Sequence, residues 1–164
     1  MEDEVDRLVA AWRRERPDLD VGPLEVLSRV SRLARHLDRA RRTAFAAHGL
    51  AQWEFDVLSA LRRTGPPYRM SPGALINQTL VTSGTMTNRI DRLAERGLVR
   101  READPHDRRG VLVVLTVEGR KTVDEALTDL LRHEQDLLAG LPARQREALA
   151  GTLRDLVAPF DNPT

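Results

Sequence analysis

The chain has 164 residues, of which 41% are hydrophobic and 31% charged, as in a soluble globular protein with one substantial core. It contains no cysteine, which excludes disulfides and thiol redox sensing, and no apolar run approaches the roughly 20 residues of a membrane span. No signal peptide is recognisable, so we expect a cytoplasmic location. The net charge of +1 excludes a uniformly basic protein, and any binding to DNA must therefore depend on local patches.

Three helices are predicted in the N-terminal part, because apolar residues recur there at helical spacing. The first covers 3–16 and ends at Pro17. The second covers 23–47 and ends near Gly49, since glycine supplies the left-handed turn at a helix C-terminus. The third covers 51–63.

A compact group of short elements follows. Ser71 and Pro72 start a short helix, with serine as the N-cap and proline at the first helical position. Thr82 or Ser83 caps a second helix over 83–96. A strand, a turn-rich loop and a return strand are predicted next, over 98–103, 104–110 and 111–115. Two helices end the chain, one over about 117–139 and one that Pro142 opens.

The helix over 83–96 combines an apolar stripe with a polar outer face. Its outer residues are suited to DNA, because short hydroxyls approach phosphates closely and Asn or Arg can make paired hydrogen bonds to purine edges. These candidate DNA-binding residues are Ser83, Thr85, Thr87, Asn88 and Arg92. An ordinary solvated helix face has a similar composition, so this helix alone leaves both interpretations open.

The loop DPHDRRG favours the DNA-binding interpretation. Arg108 and Arg109 are predicted at its tip, where guanidinium groups can enter a minor groove beside the major-groove helix. Asp107 is expected to support this geometry by pairing with one of the two arginines. A polar hairpin turn is the simpler alternative, but the order helix, strand, arginine loop and strand is typical of a winged helix-turn-helix.

The segment from Asp91 to Thr116, DRLAERGLVRREADPHDRRGVLVVLT, resembles the signature of the MarR family of bacterial transcription regulators. The flanking helices also match the family's order. The resemblance implies a mainly α fold with a small β-wing, in which the N- and C-terminal helices form a dimerisation layer. On this basis the chain is one unit over 1–164, with dimerisation helices in 1–48 and 117–164 and a winged helix region in 51–116.

The same resemblance implies a homodimeric repressor that binds a pseudo-palindromic operator in double-stranded DNA. The last helix agrees with a dimer, because its apolar side chains need a partner surface. These residues are Leu149, Leu153, Leu156 and Val157. Packing within one subunit can account for some of them.

Arg89 breaks the pattern of its helix. It lies three residues after Met86 and four before Leu93, which places it on the apolar stripe. A buried guanidinium without a partner is strongly unfavourable, so an acidic side chain or an anionic ligand is expected beside it. Asp56 is the candidate side chain, because it interrupts an otherwise apolar stretch. An Arg89–Asp56 salt bridge that only fixes helix orientation is the alternative to a ligand site.

The extra N-terminal helix with Trp12, together with Asp56, Arg89 and Arg101, resembles a MarR branch that responds to urate or to aconitate-type tricarboxylates. This resemblance implies that Arg89 binds the anion, that Asp56 is displaced or repelled by it, and that Trp12 walls the pocket. In that branch the arginine at Arg101 pairs with an acid in the short helix that precedes the helix over 83–96. Residues 71–80 contain no acid, which favours a tri- or dicarboxylate over urate.

Other classes of function have less support. The four histidines, His36, His48, His106 and His133, are scattered without metal-ligand spacing, and there is no glycine-rich phosphate loop or nucleophile elbow. We therefore expect no enzyme, metal or cofactor. A winged helix that binds protein fits the near-neutral charge, but such a face would expose apolar anchors rather than hydroxyls and arginines. A regulator without a ligand pocket also stays open.

Overall fold

The computed structural model describes residues 2–79 and 81–161, and every side chain in these ranges except those of Arg108 and Asp161. The elements in chain order are α1 (Glu4–Glu15), α2 (Gly22–Ala47), α3 (Gln52–Arg63), β1 (Arg69–Met70), α4 (Pro72–Thr79), α5 (Ser83–Glu95), β2 (Val99–Asp104), β3 (Asp107–Leu115), α6 (Val117–Leu138) and α7 (Ala143–Asp161). This confirms the predicted class: a mainly helical fold with a winged helix-turn-helix and a small antiparallel sheet.

Helices α1 and α2 form a hairpin with a small core of its own. Val5, Val9 and Val21 are buried between them. Asp3 caps α1 by accepting hydrogen bonds from two backbone N–H groups of its first turn. The Asp3 carboxylate also pairs with Arg29 of α2 at 2.9 Å, so one side chain both starts α1 and ties it to α2.

The main core lies where α3, α4, α5 and α6 meet the sheet. Phe45, at the end of α2, stacks on Phe55 of α3 with 4.0 Å between ring centroids, which joins the long helix to this core. Truncating a side chain in such a core costs about 2–5 kcal/mol. Other fully buried members are Leu58, Leu61, Leu75, Met86, Ile90, Leu93, Val113 and Val123.

Gly119 allows α6 to begin directly against the sheet. A Cβ at this position would lie 2.0 Å from the carbonyl oxygen of Leu98, so any other residue would push α6 away. Thr116 caps the helix by accepting a hydrogen bond from the Gly119 N–H at 2.9 Å, and its hydroxyl donates to the Gly97 carbonyl at 2.7 Å. The wing and α6 are therefore joined by short, specific contacts.

The sheet has the order β1-β3-β2 and is antiparallel throughout. The predicted loop over 104–110 was wrong in extent, because β2 runs to Asp104 and β3 begins at Asp107. Strand β1 was not predicted, since two residues are too few to show alternation; it pairs with β3 through Arg69 and Val114.

Helix α7 leaves its apolar side chains exposed in the single subunit. They are Leu149, Leu153, Leu156, Val157 and Phe160. Leu8 and Trp12 of α1, and Val26 and Leu27 of α2, are also exposed. None of the helices in the described residues is both long enough and apolar enough to cross a membrane.

Candidate nucleic-acid interface

Helix α5 presents a polar face outward because its apolar residues are fixed in the core. Met86, Ile90 and Leu93 are buried at spacings of four and three residues. The five side chains proposed for DNA are all exposed: Ser83, Thr85, Thr87, Asn88 and Arg92. Helices of this kind place such residues against base edges in the major groove.

The first turn of α5 is fixed by its cap. Thr82, not Ser83, is the N-cap, and its hydroxyl oxygen accepts from the Thr85 N–H at 3.4 Å. The hydroxyls of Thr82 and Thr85 also lie 2.9 Å apart. The Thr87 hydroxyl donates to the Ser83 carbonyl at 3.1 Å. This turn combines hydroxyls with the positive end of the helix dipole, which attracts phosphate.

Trp53 of α3 lies beneath two arginines of α5. The guanidinium carbons of Arg89 and Arg92 are each 5.4 Å from the centroid of its ring system. Trp53 itself is half-buried against the core, so the ring is held in place from below. Such stacking contributes about 0.5–1 kcal/mol per cation at exposed sites.

Arg89 is therefore placed differently from the prediction of a buried charge with an acidic neighbour. It is half-buried at the edge of the apolar stripe, where the face of Trp53 and the solvent both accommodate its charge. Asp56 instead accepts a hydrogen bond from Gln52 at 3.0 Å. Within the described residues, the alternative of an Arg89–Asp56 salt bridge is thus wrong.

The remaining candidate ligand residues lie on two separate helices. Asp56 is half-buried on α3 and lines a cleft of about 200 Å³ with Ser59, Arg63, Gln78 and Thr79. Trp12 is 48% exposed on α1, which packs against α2. Its role as a pocket wall stays a prediction.

The wing is a tight hairpin rather than an arginine-tipped loop. Pro105 and His106 form the turn, and Arg109 is exposed near the start of β3. The Asp107 carboxylate accepts from the backbone N–H of Arg109 at 2.9 Å, and its expected pairing with an arginine side chain stays a prediction. The side chain of Arg108 lies outside the described part of the structure.

Gly110 belongs to the same turn geometry. Its Cβ position lies 2.8 Å from the Cβ of Asp104, so a larger residue would collide across the hairpin. The Asp104 carboxylate accepts from the His106 N–H at 2.9 Å. These contacts explain why the strands extend further toward the turn than the sequence indicated.

Arg101 of β2 pairs with an acid that the sequence reasoning missed. It donates to Asp91 of α5 at 2.5 Å, both side chains being substantially exposed. In the branch that the sequence resembles, the partner is an acid in the helix before the recognition helix, which has none here, whereas Asp91 lies on the recognition helix itself. Arg101 thus connects the wing to α5. The sequence alone does not show how close β2 lies to α5, so this pair could not be predicted from it.

Comparison with known proteins agrees with this architecture. The profile of the MarR family matches residues 48–110. The regulator PecS of Dickeya dadantii is 37% identical over 150 residues, covering 92% of this chain and 90% of PecS. The repressor NicR of Pseudomonas putida is 33% identical over 149 residues, covering 88% and 92%.

A solved structure extends the comparison to ligand control. The structure of BpsR from Bordetella bronchiseptica, described as regulated in its DNA binding by 6-hydroxynicotinic acid, has a TM-score of 0.59 and 31% identity, covering 77% of this chain and 91% of BpsR. A mutant MarR from E. coli has been solved in complex with operator DNA, and the relatives are transcriptional regulators rather than enzymes. The chain belongs to the MarR family of transcriptional regulators.

Proposed function

We propose that this protein is a homodimeric repressor that binds a pseudo-palindromic operator in cytoplasmic DNA. One observation carries the proposal: α5 holds Ser83, Asn88 and Arg92 exposed on the face opposite its buried stripe. The wing adds Arg109, which is exposed near the start of β3. The similarity to NicR, a repressor, supports repression as the outcome of binding.

A dimer gives this surface its specificity. The exposed apolar side chains of α1, α2 and α7 provide a surface for a second copy. Two recognition helices related by a two-fold axis contact half-sites about 34–36 Å apart, one turn of the duplex. Bound over a promoter, such a dimer excludes the polymerase.

We further propose that a small anion, a tri- or dicarboxylate rather than urate, releases the operator by binding at Arg89. The guanidinium of Arg89 rests on the uncharged ring of Trp53, a contact that does not offset its positive charge as a carboxylate would. Asp56, on the same α3 face as Trp53, is the acid that an anion would repel, and Trp12 is proposed as a wall of the pocket. BpsR supports ligand control of DNA binding in a similar protein.

The mechanism is a population shift. An anion that draws Arg89 away from Trp53 changes the contact between α3 and α5, and it favours whichever dimer conformation has the tighter anion site. The operator favours the conformation whose recognition helices match its half-sites. Because such coupling is reciprocal, operator DNA must weaken anion binding by the same factor, typically about 5- to 150-fold.

The experiment compares Arg89→Ala with Arg92→Ala, since both arginines stack on Trp53 but only Arg92 lies on the DNA-facing side. Binding to a fluorescent duplex, selected by the wild-type protein from a random library, is titrated with citrate, succinate and urate. We expect Arg89→Ala to bind the duplex and to stay bound when the anion is added. Arg92→Ala should bind more weakly yet still respond. If Arg89→Ala dissociates from the duplex at the same anion concentrations as wild type, Arg89 is not part of the ligand site.

A further inference from the structure

Glu54 is a buried carboxylate within the main core region. Its residue surface is 5% exposed, and it lies in the first turn of α3 between Trp53 and Phe55. A buried carboxylate is unfavourable unless its oxygens are fully hydrogen-bonded. The hydrogen-bond partners of Glu54 therefore show which segments of the chain this carboxylate connects.

Both carboxylate oxygens of Glu54 are engaged, each by a different part of the chain. Oε1 accepts from Nη1 of Arg96 at 2.5 Å, and Oε2 accepts from the Ala51 N–H at 2.8 Å. The second nitrogen of the same guanidinium, Nη2, donates to the Gly49 carbonyl at 2.9 Å. Three hydrogen bonds thus form one continuous bridge.

The bridge joins the end of the recognition helix to the end of the long helix. Arg96 is the C-cap of α5, and Gly49 occupies the turn directly after α2 with φ of +66°. Ala51 is the N-cap of α3. Helix α2 carries exposed apolar side chains of the proposed dimer surface, including Val26, Leu27 and Val30.

We infer that the Glu54–Arg96 pair is a positioning device that fixes the direction of α5 relative to α2, and hence the separation of the two recognition helices in the dimer. This inference rests on the proposed function. Charged hydrogen bonds from one planar guanidinium to two fixed acceptors impose geometry more than they add stability.

The length of α5 makes its C-terminal anchor sensitive. Helix α5 has 13 residues and so extends about 20 Å from Arg96 to its DNA-facing N-terminus. A tilt of about 10° at the anchor moves that N-terminus by about 3.5 Å, which is close to the rise of one base pair. Loss of the bridge should therefore broaden the half-site spacings that the dimer accepts.

The test measures spacing preference, which a merely stabilising ion pair would not control. The probe is the library-selected duplex, together with versions that carry one base pair more or one fewer at its centre. The proteins compared in full length include wild type, Arg96→Gln and the double variant Glu54→Gln with Arg96→Met. Arg96→Gln leaves the buried Glu54 carboxylate without its charged partner and could prevent folding. The double variant removes both charges and keeps a side-chain oxygen that accepts from the Ala51 N–H, so it should fold in either case.

The measured quantity is the ratio of affinities for the selected spacing and for the altered spacings. Wild type should prefer the selected spacing, and loss of Arg96 should reduce this ratio by about five-fold or more. Arg13→Gln is the matched control, because it breaks the exposed Arg13–Glu25 pair of 2.6 Å between α1 and α2; it should keep the wild-type ratio. An unchanged ratio in the folded Arg96 variants overturns the inference. Failure of wild type to select any duplex overturns the proposed function instead.

Discussion

The guanidinium of Arg89 lies over the indole ring of Trp53, 5.4 Å from the ring centroid. Arg92 approaches the same ring at the same distance. One aromatic side chain on α3 therefore orients two cations of the recognition helix, one beside the proposed anion site and one on the DNA-facing side. This arrangement is the physical link that we propose between the anion site and the operator.

Replacing Trp53 should weaken DNA binding without abolishing the fold. Trp53→Leu removes the ring and releases both arginines, whereas Trp53→Phe keeps a smaller aromatic surface. Two exposed cation–π contacts of about 0.5–1 kcal/mol each predict a loss of roughly 5- to 30-fold in affinity for the leucine variant. The phenylalanine variant should lie between it and wild type. Equal operator affinity for all three folded proteins, by fluorescence anisotropy, would refute the orienting role.

Asn88→Ala should relax specificity at one base pair in each half-site. Asn88 is exposed near the middle of the outer face of α5, where a side-chain amide can pair with an adenine edge. The loss of discrimination should be about 1–3 kcal/mol at that position only. Competition with single-base operator variants measures it. Gln135→Ala, which removes a side-chain amide from α6, is the control and should leave the base specificity unchanged. If Asn88→Ala instead weakens binding equally to all the operator variants, Asn88 contacts phosphate rather than a base.

Arg109→Ala should lower both the affinity and its dependence on salt. Each phosphate contact adds about 0.9 to the slope of log affinity against log salt, so two wings in a dimer predict a fall of about 1.8. Arg14→Ala, which removes an exposed arginine from α1, is the control. The double change Arg108→Ala with Arg109→Ala should abolish operator binding and leave the dimer intact. Surviving affinity in that double variant would show that the wing does not contact DNA.

Leu153→Asp should convert the dimer into monomers. Leu153 lies in the exposed apolar face of α7, and a carboxylate there would be desolvated when a second copy covers it. Val117→Asp is the control, because Val117 is 78% exposed at the start of α6. Sedimentation velocity distinguishes the two states. A dimeric Leu153→Asp protein at micromolar concentration would place the subunit interface elsewhere.

Acid should loosen α1 from α2. The hydrogen bond from Arg29 lowers the pKa of Asp3 from 3.8 to about 2. Because the folded pKa lies below the ordinary value, the pair stabilises the hairpin above about pH 3.8, and this contribution is lost as the pH falls toward 2. Trp12 fluorescence in a Trp53→Phe background reports the change, since Trp12 lies on α1.

Arg29→Gln should show the loosened emission of Trp12 already at neutral pH. Arg16→Gln, which breaks only the local pair with Asp18, should keep the wild-type acid profile. Identical profiles for Arg29→Gln and wild type would show that other contacts hold α1.

Local signals in the sequence were sufficient for most element boundaries. Ser71 was predicted to cap α4, and its hydroxyl accepts from the Ala74 N–H at 3.2 Å. Gly97 was predicted to end the recognition helix, and it has φ of +70°. Helix capping and left-handed turns depend on residues that are close in sequence, so they can be predicted from the sequence pattern.

Contacts between distant residues were not predictable in the same way. Arg89 was expected beside Asp56, but Trp53 provides its surface, because helix packing brings α3 and α5 together at that side chain. Glu54 and Arg96 are 42 residues apart, and nothing in their local sequence marks them as partners. Strand β1 likewise exists only because β3 offers it an edge.

The most direct test of operator recognition is a salt titration of the dimer on two duplexes. One is the library-selected pseudo-palindrome and the other is a scrambled duplex of the same composition. We predict at least about 10³-fold tighter binding to the palindrome near physiological salt, and a steep loss of affinity between about 50 and 200 mM salt. Equal affinity for the two duplexes, or affinity insensitive to salt, would contradict it.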